Sequence, residues 1–569
     1  MRSCIAAGAV ALSLLQGAAA SAGAWQRKLS IMADMGLLPD GSPMDPAAFE
    51  SALKFAKIGV AGGPPPPNDT IYPEYVELPL DNFAEDGDYA EEGTFFNRYW
   101  VSQSAYKPGG PVFLYDVGEG NAQPNALFRL QNVTSFFKQI VDKYNGIGIV
   151  WEHRYYGNST PGPIDVNTPP EVFKWLTTEQ SLADIEKFAK QFKRKNISTA
   201  LTPDKTPWVM IGGSYPAMRA AFMRDKYPDT IFAGFASSAP TQASVDMSFY
   251  FEPVWQGMNA YGFGNCSTDI KAAIQYMDKV MEKPAAAIKL KEQFLGHGAG
   301  NNSNPTFADA LTSFVNTWQG YGVDGGKQGV RSFCDWISTD PASNKTSPAS
   351  GWAPTKGANF TVGRWSTFPP FVDMVNGYLE SNCSKTTSEG VDCDLNKKFT
   401  DPASISWTWQ YCTQWGYFQA ANEGPHQLVS RYNSLAHQKD ICHRQWPTAP
   451  RSLLPEWPTT HRTNAHFGGW DLRPSNLYWS GGEFDPWRTL SPLSGESFGP
   501  HPNAFTQPPK CGEEQDESEI FGFVLQKAEH CFDFRTTGVL SPDGGRSRGY
   551  FTAALDEWLK CFKPKKGGD

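Results

Sequence analysis

The chain has 569 residues, of which 40% are hydrophobic and 19% charged, with 50 Lys and Arg against 59 Asp and Glu. That apolar content excludes wholesale disorder, and the length asks for several domains or for one large domain carrying an insertion. A net charge of −9 without a basic block argues against nucleic acid as a partner.

The first predicted element is a leader. Arg2 is its charged start, Ile5–Leu15 its apolar stretch, and Ala20–Ala22 a small-x-small cleavage site, so residues 1–22 read as a secretory signal peptide rather than a buried first helix. Residues 23–70 are expected to form an N-terminal segment, a candidate propeptide, that ends in the stiff linker AGGPPPPND (Ala61–Asp69). No later run approaches the roughly 18 apolar residues of a spanning helix. The tail KPKKGGD carries no lipid-anchor signal, so no membrane anchor is expected.

Residues 71–243 show a different rhythm. PVFLYDV (Pro111–Val117), GIGIVWEHRYYG (Gly146–Gly157), PWVMI (Pro207–Ile211) and IFAGFASSAP (Ile231–Pro240) are apolar runs bounded by glycine or proline. An amphipathic helical pattern spans Glu179–Lys195. Continuous apolar strands alternating with such helices imply a parallel sheet covered on both faces. The rhythm stops over 244–450, which reads as helical. It resumes over 451–569 with NLYWSGGEFDPW (Asn476–Trp487), a strand in EIFGFVL and a closing helix in Arg548–Phe562. The expected fold is α/β: one sheet domain in two parts, interrupted by a large, mainly helical cap.

The stretch WVMIGGSYPAMRAAF (Trp208–Phe222) runs strand, two glycines, serine, helix. A serine hydroxyl needs a base in hydrogen-bond reach, and the base needs an orienting acid. In the α/β-hydrolase plan these follow the chain order Ser, acid, His. Ser214 is the candidate nucleophile, the alternative being an ordinary helix cap. Asp485, just past a strand and a glycine pair, is the candidate acid, with Glu483 as runner-up. His530 and His501 are the histidines that follow it, and His530 lies after a strand where the plan wants the base. Tyr215 supplies an oxyanion N–H. The glycine-rich turn DVGEGNA, through Gly118 and Glu119, is the candidate for the second donor. Pro216 stands where small residues are usual. It removes only its own N–H, and at a first helical position that donor has no intrahelical acceptor. No metal-ligand spacing or phosphate-binding glycine loop occurs, so no metal and no cofactor are expected.

Secretion agrees with two further features. Asn-x-Ser/Thr acceptors occur at Asn68, Asn132, Asn158, Asn196, Asn265, Asn301, Asn344, Asn359 and Asn382. Outside the leader there are nine cysteines, an odd number, so most should pair and one should stay free. Cys383–Cys393 and Cys412–Cys442 are plausible local pairs.

These motifs, together with ELPLDNF, TFFNRYWV, EHRYYGNS (Glu152–Ser159), LTTEQSLADI (Leu176–Ile185), WTWQYCTQWGYFQ (Trp407–Gln419) and AEHCFDFR, resemble the secreted and lysosomal serine peptidases that include prolyl carboxypeptidase, quiescent-cell dipeptidyl peptidase and fungal prolyl endopeptidase. The resemblance runs from about Tyr75 to Trp558. It implies an α/β-hydrolase core with a helical cap, cleavage after proline or sometimes alanine, and peptide substrates; a homodimer is compatible with it. It gives the catalytic roles to Ser214, Asp485 and His530. Met218 and Trp487 would help line a proline pocket, and Trp409 and Gln410 lie in the cap segment that would face the site. Three residues depart from the pattern: Pro216, Gln414 in place of a glutamate, and Cys531 in place of a second histidine. An ester-directed hydrolase on the same fold, or a secreted binding glycoprotein whose elbow Pro216 has disabled, are the competing readings.

Overall fold

The computed structural model of the chain describes residues 22–45, 71–84, 93–386 and 392–565. Most of the leader, the Pro-rich linker and Asn68 lie outside the described residues. In chain order the sheet strands are β1 (Glu74–Pro79), β2 (Thr94–Ser102), β3 (Val112–Asp116), β4 (Ile147–Trp151), β5 (Trp208–Gly213), β6 (Ala233–Ser237), β7 (Leu477–Gly482), β8 (Asn503–Phe505) and β9 (Glu519–Leu525). They form one nine-stranded sheet in the order β1-β2-β4-β3-β5-β6-β7-β9-β8. β1, β2 and β4 pair antiparallel in succession, and every other pairing is parallel. Every residue of β3, β4, β5, β6 and β7 is buried. Burial on both faces explains why these strands read as continuous apolar runs rather than alternating ones. This strand order, with a serine elbow after β5, is that of an α/β-hydrolase.

The helices that matter for the site are α1 (Ala22–Asp34), α2 (Thr178–Gln191), α3 (Tyr215–Lys226), α4 (Gly264–Met281), α5 (Pro402–Gln410) and α6 (Gly544–Trp558). Thr177 starts α2 by accepting the Gln180 N–H at 3.2 Å, a cap that stabilises a helix by about 1 kcal/mol. α3 is buried from Tyr215 to Met223 against the sheet, which is why its sequence lacks a clear polar face until Arg224.

Between β6 and β7 the chain leaves the sheet and builds the expected cap, mainly of helices, with α4 the longest. Its own core is aromatic: Phe294, Phe307, Phe314, Phe333, Trp365 and Phe371 pack edge to face or stacked. Disulfides join Cys266–Cys334, Cys383–Cys393, Cys412–Cys442 and Cys511–Cys561, and among the described residues Cys531 is the free thiol. Both expected local pairs form. The other two link distant parts of the chain.

α1 packs beneath the cap, with Leu29 and Ala33 against Tyr321. Its last residue, Asp34, pairs with Arg129 and with Arg535. Among the described residues no helix is long and apolar enough to cross a membrane, and no cluster of His, Cys, Asp or Glu could hold a metal ion.

Candidate active site

Ser214 sits at the turn between β5 and α3 with φ +70° and ψ −133°, a backbone state that non-glycine residues rarely adopt. Such strain costs on the order of 1–3 kcal/mol and persists only where the surroundings impose it. Here they do. Ser214 N–H donates to the Ser237 carbonyl of β6 at 2.9 Å, and the Ser214 carbonyl accepts Ala217 N–H at 2.9 Å and Met218 N–H at 3.2 Å. Gly212 allows the helix to start this close: a Cβ there would lie 2.2 Å from the Pro216 carbonyl oxygen.

Pro216 has a physical place in this turn. α3 begins at Tyr215, so the proline occupies the second helical position rather than the first, still within the turn whose N–H groups lack partners. Its ring faces Gly118 on the loop after β3, where a Cβ would stand 2.3 Å from Pro216 Cγ. The missing Cβ of Gly118 makes the room that the pyrrolidine takes.

Asp485 follows β7 and is fully buried. It caps the short helical turn Pro486–Leu490 by accepting Trp487 N–H at 2.9 Å. His530 follows β9, and its Nδ1 lies 2.9 Å from both carboxylate oxygens of Asp485. With Nδ1–H donated to the acid, Nε2 is left with its lone pair free to accept a proton. That nitrogen is buried and has no hydrogen-bond partner. Burial opposes the imidazolium and the Asp485 carboxylate favours it; the balance raises the His530 pKa above its ordinary value. The residue after the histidine fixes where this loop sits. Cys531 N–H donates to Ser238 Oγ at 2.9 Å, and its thiol approaches the Ser237 carbonyl, the same oxygen that receives Ser214 N–H. The histidine loop and the serine elbow therefore meet at the end of β6.

Asp533 locks this junction. Its carboxylate accepts Ser237 Oγ at 2.6 Å, Ser480 Oγ at 2.5 Å and Ser547 Oγ at 2.9 Å, tying β6, β7 and α6 to the histidine loop.

The pocket beside Ser214 is lined in part by Glu119, Tyr215, Met218 and Trp487, all expected from sequence. Gln319, Trp407 and Tyr417 from the cap and Gln26 and Arg27 from α1 were not expected. Gln319 joins the cap to the site: its side chain accepts Trp487 Nε1–H at 2.9 Å and its carbonyl accepts His530 N–H at 3.3 Å. Tyr417 stands edge-on to Trp487 at 5.2 Å and donates to the Pro240 carbonyl at 2.6 Å.

Two expectations need correction. Gly118 N–H donates to Asp116 Oδ1 at 3.1 Å, so it is committed and cannot serve as an oxyanion donor. The N–H groups of Glu119 and Tyr215 carry no such bond among the described residues and remain the candidates. Trp409 does not line the pocket; it stacks on Phe173 and meets Trp446 edge-on in a separate cluster, and Trp407, two residues earlier, takes the place expected for it. Gln410 acts behind the pocket wall. It donates to Tyr215 Oη at 2.8 Å and accepts from Tyr156 Oη at 2.5 Å. His153 Nε2 lies 3.1 Å from the same Tyr215 oxygen while its Nδ1 meets the Arg154 carbonyl at 2.6 Å. Full burial and nearby Arg219 push the His153 pKa well below its ordinary value, so it is a neutral acceptor for the Tyr215 hydroxyl.

The runner-up residues are elsewhere. Glu483 accepts Lys527 N–H at 2.9 Å in a neighbouring loop, and His501 is exposed on the surface. Gln414 accepts Thr178 N–H at 2.9 Å and donates to Glu179 at 2.9 Å, so a glutamate there would face another carboxylate. The EHRYYGNS and LTTEQSLADI motifs are scaffolding: Arg154 makes a two-pronged pair with Asp184 at 2.6 and 2.7 Å, and Glu152 pairs with Arg98 and accepts Ala122 N–H at 2.9 Å, which holds the loop after β3. Of the glycosylation acceptors, Asn158, Asn196, Asn301, Asn344, Asn359 and Asn382 are exposed, and Asn132 and Asn265 are partly buried.

An α/β-hydrolase sheet with such an elbow places the chain among hydrolases of the serine type. Residues 78–499 match the serine carboxypeptidase S28 family, and the chain belongs to this family of serine peptidases. The thymus-specific serine protease of Mus musculus is 25% identical over 86% of this chain and 88% of its own. The lysosomal Pro-X carboxypeptidase of Bos taurus is 26% identical over 86% and 88%. A "Probable extracellular serine carboxypeptidase" of Arthroderma benhamiae is 28% identical over 73% of this chain, a match that spans 58% of that relative's length. Among solved structures, a proline iminopeptidase of Mycobacterium smegmatis aligns over 86% of this chain and 98% of that one at 10% identity, with a TM-score of 0.27.

Proposed function

We propose that the chain is a secreted serine peptidase that cleaves peptides after proline through an acyl-enzyme, with Ser214 as nucleophile, His530 as base and Asp485 as the acid that orients it. The observation that carries this reading is the buried Asp485–His530 pair, with the imidazole Nε2 unpartnered, on a loop that shares the Ser237 carbonyl with the strained Ser214 elbow. Ser214 Oγ attacks the scissile carbonyl as His530 Nε2 takes its proton. The proton then passes to the leaving amine, and water repeats the cycle on the ester. Asp485 keeps the imidazole in the tautomer that can accept. The N–H groups of Tyr215 and Glu119 face the developing oxyanion.

Met218, Trp487 and Tyr417 offer an apolar and aromatic wall of the kind a pyrrolidine ring fills. Two relatives carry names that point to this chemistry, one of them a Pro-X carboxypeptidase. The leader, the disulfides and the exposed glycosylation acceptors support passage through the secretory route, to the outside or to a lysosome-like compartment. Ser214→Ala should leave a folded protein with essentially no turnover of a proline-containing peptide. Retained turnover would overturn the assignment. A panel of simple acyl esters run beside the peptides separates this reading from an ester-directed one.

A further inference from the structure

Arg27 of α1 reaches into the pocket beside Ser214. Its Nη2 donates to the Val117 carbonyl, on the loop that carries Glu119, and its Nε lies 3.8 Å from Glu119 Oε1. The pairing is incomplete. Arg27 Nε and Glu119 Oε2 are both buried without a hydrogen-bond partner. Glu119 is only 8% exposed, so its carboxylate is held nearly out of water with one cation beside it. A buried carboxylate in that state is expensive to keep unless a positive group meets it.

The space left beside Ser214 is small. The cavity holds about 30 Å³, room for about two water molecules, and Gln26 and Arg27 take up part of its lining. The sheet loops and the cap are bound into the core by the Asp533 and Gln319 contacts. α1 packs on the cap through Leu29 and Ala33, with Met32 also buried, and is anchored at its last residue, Asp34, to Arg129 and Arg535, while its Gln26 and Arg27 line the site.

We propose that the Glu119 carboxylate is a subsite for a positively charged group, and that α1 holds the site closed by filling this subsite with Arg27. The inference rests on the reading of Ser214 as nucleophile. The chain is then its own competitor: the guanidinium stands where a cationic group of a substrate would sit, and activity needs displacement of α1.

The test uses the full chain and the rate at which a small fluorophosphonate labels Ser214. Arg27→Ala should label faster by about tenfold or more, the factor that the loss of one charge-assisted hydrogen bond carries. Arg27→Lys, which keeps the charge, should stay close to the parent. Millimolar guanidinium should slow labelling of Arg27→Ala by refilling the subsite, and should fail to do so in Arg27→Ala/Glu119→Gln. As a route that changes no residue of α1, a protease site inserted within Ala61–Asp69 and then cut should release the same acceleration. Thermal melts check that each variant is folded. Equal labelling rates in the parent, in Arg27→Ala and in the cut chain would overturn the proposal while leaving Ser214 as nucleophile. Guanidinium protection that is the same with and without Glu119 would also overturn it. No labelling in any folded form would overturn the nucleophile assignment, and the proposal with it.

Discussion

Replacing Gly118 by alanine tests whether Pro216 and the loop after β3 are built as one unit. Gly118 has φ +72°, and a Cβ there would stand 2.3 Å from Pro216 Cγ and 2.6 Å from Cδ. Carbon atoms in contact settle about 3.5–4.0 Å apart, so the loop, the ring or both must retreat by about 1 Å or more. Forced overpacking costs typically about 1–3 kcal/mol, and the left-handed backbone adds at least about 1 kcal/mol for a residue with a side chain. The sum is a destabilisation of about 2–4 kcal/mol. The Glu119 N–H rides on the same loop, and a misplacement of about 1 Å costs on the order of 10²-fold in rate. Pro216→Ala deletes Cγ and Cδ; the Cβ that remains would lie 3.6 Å from the new methyl, an ordinary contact. Gly118→Ala/Pro216→Ala should therefore recover most of the lost turnover, leaving mainly the backbone cost. The assay is kcat/KM on a proline-containing peptide, with a thermal melt at each corner of the double-mutant cycle. If the double variant is as slow as Gly118→Ala alone, the ring is not what displaces the loop and the reasoning fails.

Two other outcomes follow from the buried acids. Asp485→Asn offers His530 Nδ1 an amide in place of a carboxylate, which favours the wrong tautomer; kcat should fall by about 10⁴ with the fold intact, and a loss below about tenfold would refute the orienting role. The same change removes the charge that raises the His530 pKa, so the acid limb of the pH–rate profile should move to lower pH. Glu529, one residue before His530, has its pKa raised to about 8, chiefly by burial, with Tyr261 Oη at 3.2 Å and Arg535 nearby working against the rise. A carboxyl that holds its proton longer when folded than when unfolded stabilises the fold at low pH, and that stability is lost as pH rises from about 4.5 towards about 8. Glu529→Gln should flatten this decline by a few kcal/mol. Melting temperatures that fall equally with pH in parent and variant would exclude Glu529 as the source.

The sheet was legible because buried parallel strands announce themselves as apolar runs: Val112–Asp116, Ile147–Trp151 and Trp208–Gly213 each appear in the sequence between glycines or prolines. The turn after β5 and the loops that carry Asp485 and His530 were legible because each follows such a strand. What escaped was set by contacts between residues far apart in the chain. Gln319 lies in a helical stretch of the cap with no local pattern that marks it, yet it touches both Trp487 and the His530 backbone. The Cys266–Cys334 and Cys511–Cys561 pairs, with separations of 68 and 50 residues, leave no local trace, whereas Cys383–Cys393 spans only 10. Trp407 and Trp409 are alike in sequence, and the turn of α5 alone decides which of the two faces the pocket. The role of Gly118 was misread for a related reason: the motif shows a glycine-rich turn, but only the fold shows that Asp116 has already taken its N–H.

The Asp533 carboxylate has a consequence for how much of the polypeptide the reaction needs. A fragment ending just beyond Arg535 would contain every side chain assigned to bond breaking. It would lack Ser547 of α6, one of three hydroxyls that satisfy Asp533, and a half-met charge in that spot would loosen the imidazole-bearing loop from the strand ends that aim it. α6 also covers the sheet with Phe551, Ala554, Leu555 and Trp558, all fully buried, so a chain cut short of it would lose part of the sheet's own core together with the anchor of the imidazole-bearing loop.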